Sequence, residues 1–463
     1  MAPVDDQQQR PAALGEHAVV GGTGERELRL RRWNDRTVWA VTALAVASGF
    51  GQFGVVAALG SVAKSFGHIS QGSSIADQAG LSGTELGIGL AIIRLASLGG
   101  LPLSGLADRF GRRRVLIGTV TLGLALTALT TLSPGYWWFV VIFALGRPLL
   151  SATNAVSQVT AAEQTGSRDR AKAVALVAAG YGVGAGITAI LHSLFRHTLG
   201  FRGLLALCLV PLVLVQFVRT KVPEPDRYAI AAASPEHALP VFGVAALHGR
   251  HARRLWLVVA ITFMISVITG PANTFVFLFA QSFVHLSGGV TALMVVGAGV
   301  SGLAGLLAGR YLADRVGRRP TAALGMAAIA AFGVLTYTGS AAGLVVGYVA
   351  GVLAGAVLAP ALGALVNELF PTSVRASVAG WVVAAGVLGA VAGLLVFGAV
   401  ADVGNRFGLS AAVLFLPSAL AGALFFALPE SRGLEPEELE AAGFARLGSR
   451  WRSLPDEVPS SSE

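Results

Sequence analysis

The sequence predicts an all-α membrane protein in which twelve transmembrane helices form two six-helix bundles related by pseudo-symmetry. Three observations predict this fold class: twelve long apolar runs, an alternation of strongly basic and nearly neutral loops, and a loop motif that recurs in the second half. Of the 463 residues, 54% are hydrophobic and only 13% are charged, whereas soluble domains carry about 25% charged residues. Lipid is therefore expected to be the main solvent of this chain.

Apolar runs set the number of helices, because a transmembrane helix needs about 20 predominantly apolar residues. The runs lie at 38–60, 84–106, 114–132, 136–162, 173–195, 203–219, 255–283, 290–312, 321–339, 342–368, 377–400 and 409–428. Glycine is abundant, with 59 residues, which fits membrane helices because small residues let neighbouring helices approach closely. Gly180, Gly182, Gly184 and Gly186 in the fifth run are predicted to serve this purpose.

The basic residues predict the orientation. They cluster before the first run, after the second, fourth and eighth, and before the seventh, whereas the alternate loops carry only Lys64, Arg196, Arg202 and Arg406. The positive-inside rule therefore predicts a multi-pass protein of the inner (cytoplasmic) membrane with both termini in the cytoplasm. The same rule accounts for the net charge of +9, so no nucleic-acid partner is predicted.

Five segments follow from this organisation. Residues 1–36 are expected to form a disordered cytosolic arm, since they lack the apolar core of a signal peptide. Residues 37–219 and 255–428 are predicted to be the N-terminal and C-terminal bundles. The proline-containing segment 220–254 is predicted to be a cytosolic linker whose later part forms a basic surface helix, and 429–463 a cytosolic tail.

An internal repeat relates the two bundles. The motif Asp-Arg-x-Gly-Arg-Arg at 108–113 recurs at 314–319, and each copy follows the second apolar run of its half. Glu163 and Arg170, seven residues apart, recur as Glu368 and Arg375 after the fourth run of each half. Two six-helix units in parallel repeat imply a pseudo-twofold axis along the membrane normal.

This repeated loop motif resembles the signature of the major facilitator superfamily. Gly146-Arg147 in the fourth run supports the resemblance, as do the segments 368–375 and 429–433, which resemble the sugar and metabolite porter branches. The resemblance covers about 36–433 and implies a carrier that moves a small solute by alternating access. The sequence departs from the family pattern at Ser104 and Arg310, where glycine is usual, and the fifth run lacks the Gly-Pro pair typical of drug/proton antiporters.

The charged residues of the repeated segments are predicted to gate the cytosolic side. Their carboxylates can accept hydrogen bonds from helix N-termini or arginines, and we expect Glu163 to pair with Arg170 and Glu368 with Arg375. Such contacts would form in one state of the carrier and break in the other. The alternative is that these charges only set the topology. The predicted gating residues are Asp108, Arg109, Arg112, Asp314, Arg315, Arg318, Glu163, Arg170, Glu368 and Arg375.

Two arginines are predicted to lie inside the membrane. Arg94 and Arg147 each lie about ten residues into their runs, which places them roughly 15 Å deep. An arginine at the centre of a membrane helix costs at least ~2.5 kcal/mol, and no Asp or Glu occupies that depth in any run. Because guanidinium groups bind carboxylates and phosphates in a bidentate manner, these residues predict an anionic substrate.

A polar face on the fourth run predicts a central cavity. Arg147, Ser151, Asn154 and Gln158 are spaced four, three and four residues apart, which places them on one helical face. Gln52 in the first run and Asn273 in the seventh are expected to contribute to the same substrate site. Gly270-Pro271 is predicted to break or hinge the seventh helix. The alternative is that these polar groups only hold helices together.

The energy source is expected to be a gradient, because the sequence has no ATP-binding loop. It also has no catalytic set at membrane depth, so no enzyme activity and no cofactor are predicted, and its single cysteine, Cys208, excludes an intramolecular disulfide. The resemblance implies proton coupling, although the buried acid of the first helix is missing. Glu163, Glu368 and His192 are the alternative proton carriers, and an exchanger or a uniporter is the alternative to proton coupling.

Three functions remain open at this stage. The first is a monomeric secondary carrier, in the lipid bilayer, of a small organic anion or polar metabolite, with protons as coupling partner. The second is a drug or antibiotic exporter of the same fold. The third is a transport-dead membrane receptor or lipid-handling scaffold.

Overall fold

The computed structural model describes residues 32–72, 74–222, 250–370, 372–404 and 406–431. Most of the predicted N-terminal arm, of the linker with its surface helix and of the C-terminal tail lies outside the described residues. Within them, helices dominate the structure and form two groups of six, with short connections between successive helices.

Twelve helices in the described ranges are long and apolar enough to cross a bilayer, and they are numbered here as spans 1 to 12. They are Arg36–Ala57, Gly83–Phe110, Arg112–Leu132, Tyr136–Gln164, Asp169–Phe195, His197–Lys221, Ala252–Ser282, Gly288–Arg315, Arg318–Thr336, Ala341–Glu368, Ser377–Gly404 and Phe407–Ala427. Each overlaps one of the twelve apolar runs, so the predicted fold class is confirmed and the chain is a multi-pass membrane protein.

Small polar residues start several of the spans. Asp35 accepts a hydrogen bond of 2.8 Å from the backbone N–H of Thr37 at the beginning of span 1. Ser82, Ser287 and Ser340 cap spans 2, 8 and 10 in the same way. These side chains satisfy backbone donors that the first turn of a helix leaves unpaired.

The glycine of the repeated motif makes the turn between two antiparallel helices. Gly111, between spans 2 and 3, has a φ of 97°, and Gly317, between spans 8 and 9, has a φ of 120°. Side chains with a Cβ rarely adopt this backbone region. The Gly of Asp-Arg-x-Gly-Arg-Arg is therefore required by the turn, and its equivalent use in both halves reflects the internal repeat.

Glycines also let neighbouring spans pack so closely that their backbones are in contact. A Cβ on Gly184 of span 5 would lie 2.0 Å from the carbonyl oxygen of Val46 in span 1, and one on Gly180 would lie 2.7 Å from a methyl of Thr42. In the C-terminal half, a Cβ on Gly389 of span 11 would lie 2.2 Å from the carbonyl oxygen of Phe263 in span 7. Spans 1 and 5 thus pack as spans 7 and 11 do.

Span 7 is interrupted, but not where the sequence predicted. Its first helix, Arg250–Thr274, continues through Pro271, and its second, Val276–Ser282, starts after Phe275. A Cβ on Gly393 of span 11 would lie 2.5 Å from the carbonyl oxygen of Val267. The helix around the proline thus packs closely against span 11, and the junction of the two helices lies one turn later.

Two ends of the molecule are distinguished below. The first-loop end is the one at which span 1 ends and span 2 begins, and it carries two short helices, Leu59–Phe66 and Ile75–Ala79. Asp77 accepts hydrogen bonds from Ser70 and Ser74 in this loop, and these bonds lower the pKa of its carboxyl group. The motif end is the opposite one, where the repeated loop motif lies.

Candidate functional site

A cavity of about 240 Å³ lies between the two halves, near the middle of the spans. Spans 1, 2, 4 and 5 of the N-terminal half and spans 7 and 11 of the C-terminal half contribute to its wall. Its polar lining includes Gln52, Arg94, Arg147, Tyr181, Ser266 and Asn273. Its apolar lining includes Phe53, Val56, Leu90, Ile93 and Leu394.

The two predicted arginines both reach this cavity. Arg147 donates one hydrogen bond, from Nη1 to the backbone oxygen of Gln52 at 3.0 Å. The described part of the chain gives the guanidinium of Arg94 neither a hydrogen bond nor an ion pair, and the Nε atoms of both residues are buried without a partner. Because no described carboxylate pairs with either guanidinium, the cavity carries positive charge that the described residues do not neutralise.

Gln52 acts at the site through its backbone. Its side chain is buried, and Nε2 donates to Oγ of Ser48 at 2.9 Å. Ser48 in turn donates to the carbonyl oxygen of Leu150 in span 4 at 2.8 Å. This chain of hydrogen bonds fastens span 1 to span 4 and holds the carbonyl group of Gln52 in place for Arg147.

The other predicted substrate-binding residues divide between two locations. Asn273 lines the cavity, with Nδ2 donating to the carbonyl oxygen of Thr269 at 2.9 Å. Ser151 instead packs beside Gly100 of span 2, whose Cβ would lie 2.9 Å from that of Ser151. Asn154 has a buried and unpartnered Oδ1, and neither it nor Gln158 lines the cavity.

Tyr181 is a cavity residue that the sequence did not single out. It lies in span 5, between Gly180 and Gly182, and it lines the cavity with both arginines. The glycines around it indicated close packing but gave no sign of a polar group at the same level. Tyr181 itself was only a weak signal in the sequence, since a single aromatic residue in an apolar helix more often belongs to the core.

Carboxylate–arginine pairs form at the motif end, with partners different from those predicted. Glu163 accepts two hydrogen bonds from Arg112, from Nε at 3.0 Å and from Nη2 at 2.8 Å. Arg112 also contacts Asp108. Arg318 donates to Glu368 at 2.7 Å. Each acid therefore pairs with an arginine that starts the neighbouring span of its own half.

The remaining residues of the predicted gate have separate environments. Arg170 is exposed, and Arg375 donates to the carbonyl oxygen of Phe370 at 3.3 Å. Asp314 is exposed, and the guanidinium of Arg315 lies 4.7 Å from the ring centre of Tyr311. Arg109 is exposed at the same end of the N-terminal half. The contacts of Arg375 and Arg315 each stay within the C-terminal half.

The first-loop end is where the halves touch. Asp402 of span 11 accepts hydrogen bonds of 2.7 Å from the backbone N–H groups of Gly83 and Thr84 in span 2. A Cβ on Gly288 of span 8 would lie 2.0 Å from the carbonyl oxygen of Ser193 in span 5. The described residues thus bring the halves together at one end, while the ion pairs at the other end stay within each half.

Comparison with known proteins places this architecture in a family. A family model described as Major Facilitator Superfamily matches residues 41–312 and 284–456. The inward-open xylose transporter XylE of E. coli superimposes with a TM-score of 0.64 and 20% identity, covering 88% of this chain and 99% of that one. The nucleoside transporter NupG superimposes with a TM-score of 0.66 and 16% identity, covering 85% and 99%.

Curated relatives have higher sequence identity to this chain than these two structures, but they match over shorter stretches of it. A provisionally named metabolite transport protein of Haemophilus influenzae is 32% identical over 28% of this chain and 32% of its own length. A provisionally named 4-methylmuconolactone transporter of Cupriavidus pinatubonensis is 25% identical over 78% of this chain and 86% of its own. The transcription regulatory protein OpdE of Pseudomonas aeruginosa is 29% identical over 57% and 64%.

Proposed function

Because this chain belongs to the major facilitator superfamily, we propose that it is a secondary transporter that moves a small organic anion across the inner membrane by alternating access. The positive-inside rule supports an orientation in which the motif end faces the cytoplasm. In that orientation the described conformation is closed on the extracytoplasmic side, where Asp402 and its partners join the halves.

The observation that carries this proposal is the pair of arginines in a cavity without a carboxylate. A charged group within a membrane protein is costly unless it is paired or hydrated. Arg147 has one neutral hydrogen-bond partner and Arg94 has none among the described residues. A carboxylate or phosphate entering the cavity would supply the missing charge and up to two hydrogen bonds per guanidinium.

The cavity wall supports a substrate with one charged end and an apolar body. The arginines and Asn273 form its polar part, and Phe53, Leu90 and Leu394 belong to its apolar part. The volume of about 240 Å³ is below the 300–1,000 Å³ typical of sites for drug-sized ligands. A small carboxylic acid fits these properties, and the name of the Cupriavidus relative also refers to a small organic compound.

Substitution of Arg94 tests the proposed substrate class. In proteoliposomes with an imposed proton gradient, we expect Arg94→Gln to reduce uptake of the preferred organic acid by about 10- to 100-fold, since a hydrogen bond to a charged group contributes about 1.5–3 kcal/mol. Arg114→Gln, which removes an exposed arginine at the start of span 3, is the control and should transport normally. Undiminished uptake by Arg94→Gln at normal protein levels would contradict an anionic substrate.

A second candidate function is a membrane receptor or regulator without transport. The observation that favours it is the relative named as a transcription regulatory protein, which aligns with 57% of this chain. Purified protein that shows no substrate-dependent flux but binds a partner protein tightly would support this candidate. Increased drug resistance on expression would instead support the exporter hypothesis.

A further inference from the structure

His192 lies at the contact between the two halves, at the first-loop end. It belongs to span 5, and its side chain is buried, with 1% of its surface exposed. Its Nε2 lies 2.9 Å from Oγ of Ser61, in the short helix after span 1. Its Nδ1 lies 3.5 Å from Nε2 of Gln281, near the end of span 7. The imidazole therefore connects the N-terminal half with the C-terminal half.

The surroundings of Gln281 determine which way its amide points. Nε2 of Gln281 lies 3.4 Å from the carbonyl oxygen of Ala57. A flipped amide would turn Oε1 toward that carbonyl, so that two acceptors would face each other. The amide nitrogen therefore faces both Ala57 and His192, and Nδ1 of His192 has to be the acceptor of this contact. The imidazole is then neutral, with its proton on Nε2, which donates to Ser61.

Protonation would disrupt this arrangement. A second proton on Nδ1 would place an N–H group against the NH₂ group of Gln281, so that two donors face each other across the contact between the halves. It would also bury a positive charge. Ser61 and Gln281 also line an adjoining cavity of about 270 Å³, and the titratable side chains in its described lining are Lys64, His197 and His285.

The titratable residues of this adjoining cavity come from three segments around the contact between the halves. Lys64 comes from the short helix after span 1, His197 from the start of span 6, and His285 from the segment after span 7. The residues that line this cavity include no carboxylate. When the halves separate and water reaches the imidazole, histidine takes up a proton in its ordinary range of about pH 5 to 8, so external acid favours the separated state.

We propose that His192 is a proton-operated latch of the extracytoplasmic gate. Neutral His192 holds the halves together at the first-loop end, and protonation from that side releases them. External acid therefore favours the state in which the central cavity opens to the outside. The orientation in this inference rests on the proposed function, whereas the coupling between protonation and gate opening does not depend on the substrate.

A cysteine reporter in the central cavity tests the latch without any substrate. The native cysteine is removed by Cys208→Ser, and Asn273→Cys places a thiol on the cavity wall. Intact cells are treated with a membrane-impermeant maleimide at external pH 7.5 and 5.5. The rates are divided by those of Ile69→Cys, whose side chain is exposed in the first loop, so that the intrinsic pH dependence of the thiol reaction cancels. We expect the ratio to rise at least about threefold at pH 5.5.

Two substitutions of His192 are expected to have opposite effects on the labelling ratio. His192→Gln, which stays neutral, should give a low ratio at both pH values. His192→Lys, which carries a fixed charge, should give a high ratio at both. His197→Gln and His285→Gln are matched controls from the same cavity and should keep the pH response. A response that survives in His192→Gln, or that disappears in either control instead, overturns the proposal, as does a pH-independent ratio in the parent.

Gln281→Glu provides a variant that keeps His192 itself. A carboxylate can accept a hydrogen bond from protonated His192, so acid should no longer raise the labelling ratio in this variant. A normal elution profile in size-exclusion chromatography confirms that it folds, and an unchanged pH response would overturn the latch. If the pH response is as expected but organic acids are not transported, the proposed substrate is wrong and the latch stands.

Discussion

Glu163 is the residue that neutralises Arg112 at the motif end. The carboxylate is 22% exposed and the arginine side chain 12%, so the pair is largely removed from water. We expect Glu163→Gln to lower the stability in detergent by about 1–3 kcal/mol, because the guanidinium of Arg112 loses the largely buried carboxylate to which it donates two hydrogen bonds. Thermal unfolding followed by intrinsic fluorescence measures this loss.

Asp169 supplies the matched control for this prediction. It pairs with Lys172 at 3.5 Å, and the lysine side chain is 63% exposed. Since exposed ion pairs contribute between zero and about 1 kcal/mol, Asp169→Asn should leave the unfolding temperature almost unchanged. Equal effects of the two substitutions would show that the Arg112–Glu163 pair has no special role in stability.

At the residue scale, spacing along a helix predicts the height of a side chain but not its partners. Arg94 and Arg147, each predicted about ten residues into its run, line one cavity, because the rise per residue of a helix is fixed. The partner of Glu163 depends on how span 4 is rotated against span 3, and no spacing within one helix contains this information. The structure therefore pairs Glu163 with Arg112 rather than with Arg170.

At the scale of elements, the packing of span 5 against span 1 leads to a sharp prediction. A Cβ at position 184 would meet the carbonyl oxygen of Val46 at 2.0 Å, whereas one at position 182 would meet nothing within 4 Å. We expect Gly184→Ala to force the two helices apart and to cost about 1–3 kcal/mol. Gly182→Ala should be neutral. The yield of monodisperse protein and its unfolding temperature distinguish the two variants, and a loss of equal size in both would contradict helix contact through Gly184.

Span 2 is capped from two sources, one of which crosses between the halves. Ser82 accepts from the N–H of Glu85 at 3.1 Å within the N-terminal half, while Asp402 of span 11 accepts from Gly83 and Thr84. Removal of either cap should destabilise the helix by about 1 kcal/mol. Asp402→Ala should in addition raise external labelling of Asn273→Cys, whereas Ser82→Ala should not. Unchanged labelling in Asp402→Ala would mean that this cap does not hold the gate.

Whole elements were predictable from sequence because apolar length is a property of a single segment. All twelve spans overlap the predicted runs, since lipid requires each crossing segment to satisfy its own backbone hydrogen bonds. The interruption of span 7 was predicted at Pro271 but lies at Phe275. Around the proline, Val267 packs closely against Gly393 of another span, and such a tertiary contact is outside what a proline rule can include.

At the scale of the whole molecule, the internal repeat predicts that the two copies of the loop motif face the same side of the membrane. Six spans separate them, and an even number of crossings returns the chain to its starting side. Phe110 and Val316 lie at the same position of the two copies and are 60% and 57% exposed, so cysteines there are accessible to reagents.

In the Cys208→Ser background, we expect both Phe110→Cys and Val316→Cys to react with an impermeant maleimide only after the cells are opened. Ile69→Cys in the first loop should react in intact cells. The positive-inside rule predicts that both motif loops lie in the cytoplasm. Labelling of residues 110 and 316 from opposite sides would contradict the parallel repeat, and with it a central cavity that two related halves enclose.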